Sequence, residues 1–185
     1  MAFGVGEIII LAVTVIIGLV IFSFVSAFLV PQLSFTNAEQ TAKNMGSDIS
    51  VTAGPLFLEN GKGSSIFYIY SPQYSGNFTV IAFAVPTSDI ASIGTITPSY
   101  SVSTLNVFLT NGKIPLSKTF STIYSTSGEI LSTNQVGYEV PSNEAFSVTS
   151  VTGLINSSDI IVVWIIYQSG NYYFRIYYTY SGVSQ

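Results

Sequence analysis

Apolar positions in this chain follow two different patterns, and they change over between residues 45 and 50. From Ile8 to Val30 the pattern is unbroken: 23 residues without a charge, 17 of them Ile, Leu, Val or Phe. As a helix this run spans ~35 Å, against about 30 Å for the hydrocarbon core of a bilayer. Each such side chain contributes about 0.3–0.6 kcal/mol near the centre of a membrane helix, so insertion is favourable by roughly 5–10 kcal/mol in sum. The run is too long for the buried core helix of a soluble domain. Val25-Ser26-Ala27 has the small residues of a signal cleavage site, but no basic residue precedes the run, and the run exceeds an ordinary signal core. Pro31 follows directly and predicts a kink or interruption, because proline lacks the backbone donor and clashes with the preceding turn. Leu33 to Met45 still reads as helical, with Ala38, Ala42 and Met45 as a weak apolar stripe, and Asn44 with Gly46 supplies a stop.

From Ile49 onward short apolar runs alternate with turn residues. Ile49–Leu58 runs into the turn signal Asn60-Gly61, and Ser65–Tyr70 and Phe78–Val85 are divided by a Ser-, Pro- and Gly-containing segment. Ser103–Thr110 and Lys113–Tyr124 flank Asn111-Gly112, the strongest hairpin signal in the chain. Glu129–Thr133 and Val136–Val140 follow Ser127-Gly128, and Phe146–Ile155, Ile160–Tyr167 and Tyr172–Tyr180 close the chain. The expected architecture is a long N-terminal α-helix over residues 1–46 and an all-β domain over 47–185, a β-sandwich of immunoglobulin-like type. Ile160–Tyr167 is apolar on both faces and should be a central strand. Tyr172–Tyr180 gathers five tyrosines around Arg175. They suit ordinary sheet packing or an aromatic platform for sugar or protein.

Composition narrows the function classes. There is no cysteine and no histidine, which removes disulfides, thiolate metal sites and the commonest general base. Five Lys/Arg residues and a net charge of −4 supply no basic face for nucleic acid. Charged residues are only 8% of the chain, and 27 Ser and 17 Thr supply polarity instead. Such a hydroxyl surface suits an extracellular protein. The acids are dispersed, and neither a phosphate loop nor a calcium loop occurs. We therefore expect a structural protein with no enzymatic activity and no cofactor. Covalent N-glycans are expected at the acceptor motifs Asn77-Phe78-Thr79 and Asn156-Ser157-Ser158. Glu7 is the only charge before residue 39. It suits the positive end of the helix dipole, where it either rests at lipid headgroups or pairs with an α-amino group, its own or a neighbouring subunit's.

An extreme N-terminal apolar helix with a nearby acid, a proline further along and a low-charge β domain resembles the type IV pilin superfamily. Cysteine-free and hydroxyl-rich, the chain looks most like archaeal type IV pilins and archaellins. The resemblance implies a subunit that waits in the membrane by its helix and then bundles with copies of itself in an extracellular filament core. Thr14, Gly18 and Ser26 are small residues that allow close helix approach. Glu7 and Pro31 stand further along than their counterparts in bacterial pilins. The basic leader of such precursors is not seen before Ile8, so the chain reads as a mature one beginning at Met1 or as one anchored differently. The expected role is adhesion or surface attachment. The alternatives are an archaellin of a swimming filament, a membrane-anchored extracytoplasmic binding module, and an anchor beneath a surface layer.

Overall fold

A computed structural model describes residues 4–98 and 105–181. Met1 and the first two positions of the expected strand Ser103–Thr110 lie outside the described residues. The N-terminal helix runs as α1 (Val5–Phe24), a π-helical turn (Val25–Leu29) and α2 (Val30–Asp48). Pro31 does not end it. The wide turn lies directly before the proline, and the Val30 N–H reaches back to Val25 O. The helix is continuous through the π-turn into Pro31, so the widened turn accommodates the proline, whose missing donor leaves one bond of the ladder unmade. Contacts divide the chain between Ala38 and Glu39. Of the predicted stripe, Ala38 and Ala42 are buried and Met45 is half-buried. Gly46 is not the stop but a point of close packing. A Cβ there would come within 2.8 Å of the Ile176 carbonyl oxygen, so only glycine lets the helix end lie against that backbone.

Among the described residues ten strands follow: β1 (Ser50–Ala53), β2 (Phe57–Glu59), β3 (Lys62–Tyr70), β4 (Asn77–Pro86), β5 (Asn106–Leu109), β6 (Ser117–Ser125), β7 (Ile130–Pro141), β8 (Ala145–Thr149), β9 (Asp159–Ser169) and β10 (Tyr172–Tyr180). They form two sheets. One has the order β1-β3-β8-β5, with β2 also paired to β3. The other closes on itself as β10-β6-β7-β4-β9. A sandwich of two open sheets is therefore not what is seen. The closing contact is a short parallel pairing of β10 with β6, Phe174 opposite Tyr124 and Arg175 opposite Ser125. Nothing in strand periodicity announces that pairing, because it joins segments some fifty positions apart.

β9 holds the expected central place, between β4 and β10, and Ile160 to Ile166 are each at most 1% exposed. Ile160, Val162, Trp164 and Ile166 on one face join Ile81, Phe83, Val85, Phe120 and Ile123 in the barrel interior. Ile161, Val163 and Ile165 on the other face are buried as well. That double burial is why the segment reads as a continuous apolar run. In the smaller sheet β3 alternates buried and exposed residues, and its Phe67 stacks on Phe146 of β8 at 5.7 Å.

Two Asn-Gly pairs turn out differently. Asn60 and Gly61 both take positive φ (52° and 73°) and join β2 to β3 as a two-residue hairpin. Asn111-Gly112 makes a turn closed by Gly112 N–H donating to Leu109 O at 2.8 Å. The strands it connects do not pair, since β5 belongs to the open sheet beside β8 and β6 to the barrel.

Candidate functional site

Two surfaces and two modification motifs are candidates. On the helix, every residue from 4 to 34 is exposed, including the whole apolar run. No face of α1 is buried. The Thr14 hydroxyl donates to Ile10 O at 2.8 Å, so this polar group is satisfied within the helix. A side chain at Gly18 would meet nothing within 4 Å. Ser26 lies in the π-turn, and Pro31 follows it at the start of α2. Glu7 is exposed in the first turn, and its own N–H donates to Gly4 O at 3.0 Å. Its expected α-amino partner on Met1 lies outside the described residues. Val5–Asp48 is, among the described residues, one helix long and apolar enough to cross a membrane. The N-terminal segment is thus suited to membrane association.

Both motif asparagines are exposed. Asn156 sits in a turn fastened by its N–H donating to Asp159 Oδ2 at 2.9 Å. Asn77 opens β4, while Phe78 and Thr79 behind it are buried.

Asn77 also lines the mouth of the barrel. Residues directly opposite each other in a ladder point to the same face of a sheet. Glu139 lies opposite Thr79, Thr79 opposite Ile166 and Ile166 opposite Arg175. Ile166 belongs to the interior core, so this whole row looks inward. Gly137 leaves the space, since a Cβ there would sit 2.7 Å from Thr79 Cγ2 and 2.9 Å from Phe120 Cε2. The result is a cleft of about 310 Å³ with a mainly polar lining that includes Tyr74, Asn77, Lys118, Glu139 and Gln168.

Lys118 organises the cleft. Its Nζ donates to Gln168 Oε1 at 2.7 Å, lies 4.0 Å from Glu139 Oε1 and stands 5.2 Å from the centre of the Tyr173 ring. The Lys118 and Glu139 side chains are 29% and 31% exposed, so their charges balance each other in a wet setting. Tyr74 meets Phe78 and Tyr167 ring to ring and donates its hydroxyl to Asn77 O at 3.2 Å. Burial, then the neighbouring Tyr167 and Glu139, raise the Tyr74 phenol above its ordinary value and keep it a neutral donor.

Deeper in the barrel, the Arg175 guanidinium is held by aromatic rings, 4.7 Å from the Trp164 ring centre and 5.2 Å from that of Tyr178. Burial lowers its pKa and Tyr178 opposes the shift, but a guanidinium stays charged. Two tyrosines of β10 are packing groups: Tyr173 sits edge-on to Phe120 at 4.8 Å, and Tyr172 contacts Tyr124 at 6.2 Å, while Tyr178 and Tyr180 are exposed. Among the described residues no three His, Cys, Asp or Glu side chains gather as a metal site.

Of the sequence-derived candidates, the structure brings Asn77 alone to this cleft. Lys118, Glu139 and Gln168 lie far apart in sequence, on β6, β7 and β9, and no local motif links them. No family model matches the chain, and no curated protein matches it. Among solved structures the chain is similar to a conjugative transposon lipoprotein from Bacteroides eggerthii, at 8% identity and a TM-score of 0.34, over 73% of this chain and 97% of that one.

Proposed function

We propose that this protein is a structural subunit of an extracellular helical filament of type IV pilus kind, serving surface attachment. The observation that carries the reading is the helix whose apolar side chains are exposed on every side from residue 4 to 34. A surface amphipathic helix has one polar face; this one has none within Ile8–Val30. Such a surface needs cover all round, and two environments supply it: lipid before assembly, and a bundle of identical helices afterwards. Both are equally apolar, so a subunit passes between them without exposing Leu, Ile or Val to water. In this reading the β-rich part forms the outer layer of the filament, and its few charges and many hydroxyls face the medium. The test is electron microscopy of filaments sheared from the native cells, with this chain identified in them by mass spectrometry. Sheared material without filaments containing the chain refutes the proposal. Deleting the gene then separates the two filament roles, since loss of attachment marks a pilus and loss of swimming an archaellum.

A second reading, a membrane-anchored extracytoplasmic binding module, is favoured by the polar cleft at the barrel mouth. It requires a chain that remains monomeric in the native membrane.

A further inference from the structure

The geometry points to the barrel mouth as a binding site for one neutral sugar ring. Glu139 and Lys118 stand 4.0 Å apart and balance each other, so an anionic or cationic ligand finds no uncompensated partner there. A ligand that both donates and accepts does better. The carboxylate of Glu139 accepts two hydroxyl donors, Lys118 has donors beyond the one given to Gln168, and the amide of Asn77 does both. Vicinal hydroxyls of a pyranose present that alternation of donors and acceptors. Tyr74, at the same cleft, supplies an aromatic wall for the C–H face of a sugar, and its half-buried ring is fixed in place by Phe78 and Tyr167. A volume of about 310 Å³ admits one ring with an open side for a glycosidic linkage.

The sugar has two sources of the same chemistry: the glycan carried on Asn77 of this chain, which lines the cleft, or a glycan on another surface. The site does not depend on polymerisation, and the test needs no filament. Full-length chain from a host without the glycosylating enzyme, held in detergent micelles, is examined by saturation-transfer NMR. The probes are the methyl glycosides of glucose, galactose, mannose and N-acetylglucosamine. At least one is expected to bind, and Glu139→Ala or Lys118→Ala to weaken it about tenfold through loss of a charged hydrogen bond. Both side chains are at least partly exposed, so the thermal midpoints should stay near that of the parent chain. Failure of all four glycosides to bind, or binding untouched in both variants, overturns the site. Chain from the native host then distinguishes the sources. If the Asn77 glycan fills the mouth, added glycoside binds chain from the non-glycosylating host and not glycosylated chain from the native host; if the ligand is external, both bind alike.

Discussion

Asn143 shows how much a single amide can hold. It takes φ 61°, and its side chain bridges both backbone groups of Ser71, accepting from the N–H at 2.9 Å and donating to the carbonyl at 3.0 Å. Its own N–H donates to Ile69 O at 2.9 Å. The corner between β7 and β8 is thereby fastened to the end of β3. Asn143→Ala leaves polar groups of a buried residue unpaired and forces a Cβ into the left-handed region, a loss of about 2–4 kcal/mol in urea unfolding. Asn143→Gly keeps the backbone and loses only the bridge, so it should fall between; native-like stability of the glycine variant would show the bridge contributes nothing. Tyr74 gives a pH signature. Its raised pKa means the folded chain holds the phenolic proton more tightly than the unfolded one, whose value is near the ordinary phenol value of 10.0. The resulting stabilisation is complete below that pH and is lost as pH rises through the higher folded value. Tyr74→Phe should therefore lose less thermal stability than the parent chain between about pH 9 and 11. Equal losses would contradict the burial argument.

At the scale of elements, two glycines of the same helix separate packing from exposure. Gly46→Ala gains about 1 kcal/mol in helix propensity. Against that, the new Cβ meets the Ile176 carbonyl at 2.8 Å, a backbone atom that cannot rotate away. Overpacking of this kind costs about 1–3 kcal/mol, so the variant should melt lower despite its better helix former. A higher melting temperature would mean that the helix end shifts freely. Gly18 meets nothing within 4 Å, so Gly18→Leu should leave both membrane insertion and the melting of the β-rich part unchanged. In a bundle of copies the same leucine keeps helices apart, and filament yield should fall. Normal yield argues against Gly18 at a close helix contact. The π-turn before Pro31 belongs to this scale too: the chain absorbs the proline by widening one turn rather than by ending the helix.

For the whole molecule, the decisive quantity is what covers the helix. Glu7 is the only charged group within residues 4–38, and no Lys or Arg occurs before Lys43. A carboxylate drawn into a filament core must find a cation or take up a proton. Glu7→Gln preserves its shape and removes the charge, so assembly should slow while the melting of the β-rich part stays unchanged. Assembly at the parent rate would remove the need for a pairing at this position.

Local spacing settled much of this protein before any fold was known. A charge-free run of 23 residues fixes a long apolar helix whatever lies around it. The double-sided apolar run at Ile160–Tyr167 marks the central strand, since only a strand covered on both faces tolerates it. Ala38 and Ala42 were legible as the helix's buried positions for the same reason of periodicity. Asn60-Gly61 and Asn111-Gly112 were both legible as turns, because positive φ is a local demand. Which strands those turns bring together is not local. Asn111-Gly112 sends the chain from one sheet to the other, and a two-residue parallel contact of β10 with β6 closes the barrel. Pairing partners are chosen by the burial of whole faces across the molecule, and no window of neighbouring residues contains that information. The barrel mouth follows from the same choice. Lys118, Glu139 and Gln168 acquire a common purpose only when β6, β7 and β9 stand around one interior, so tertiary closure alone made them a site.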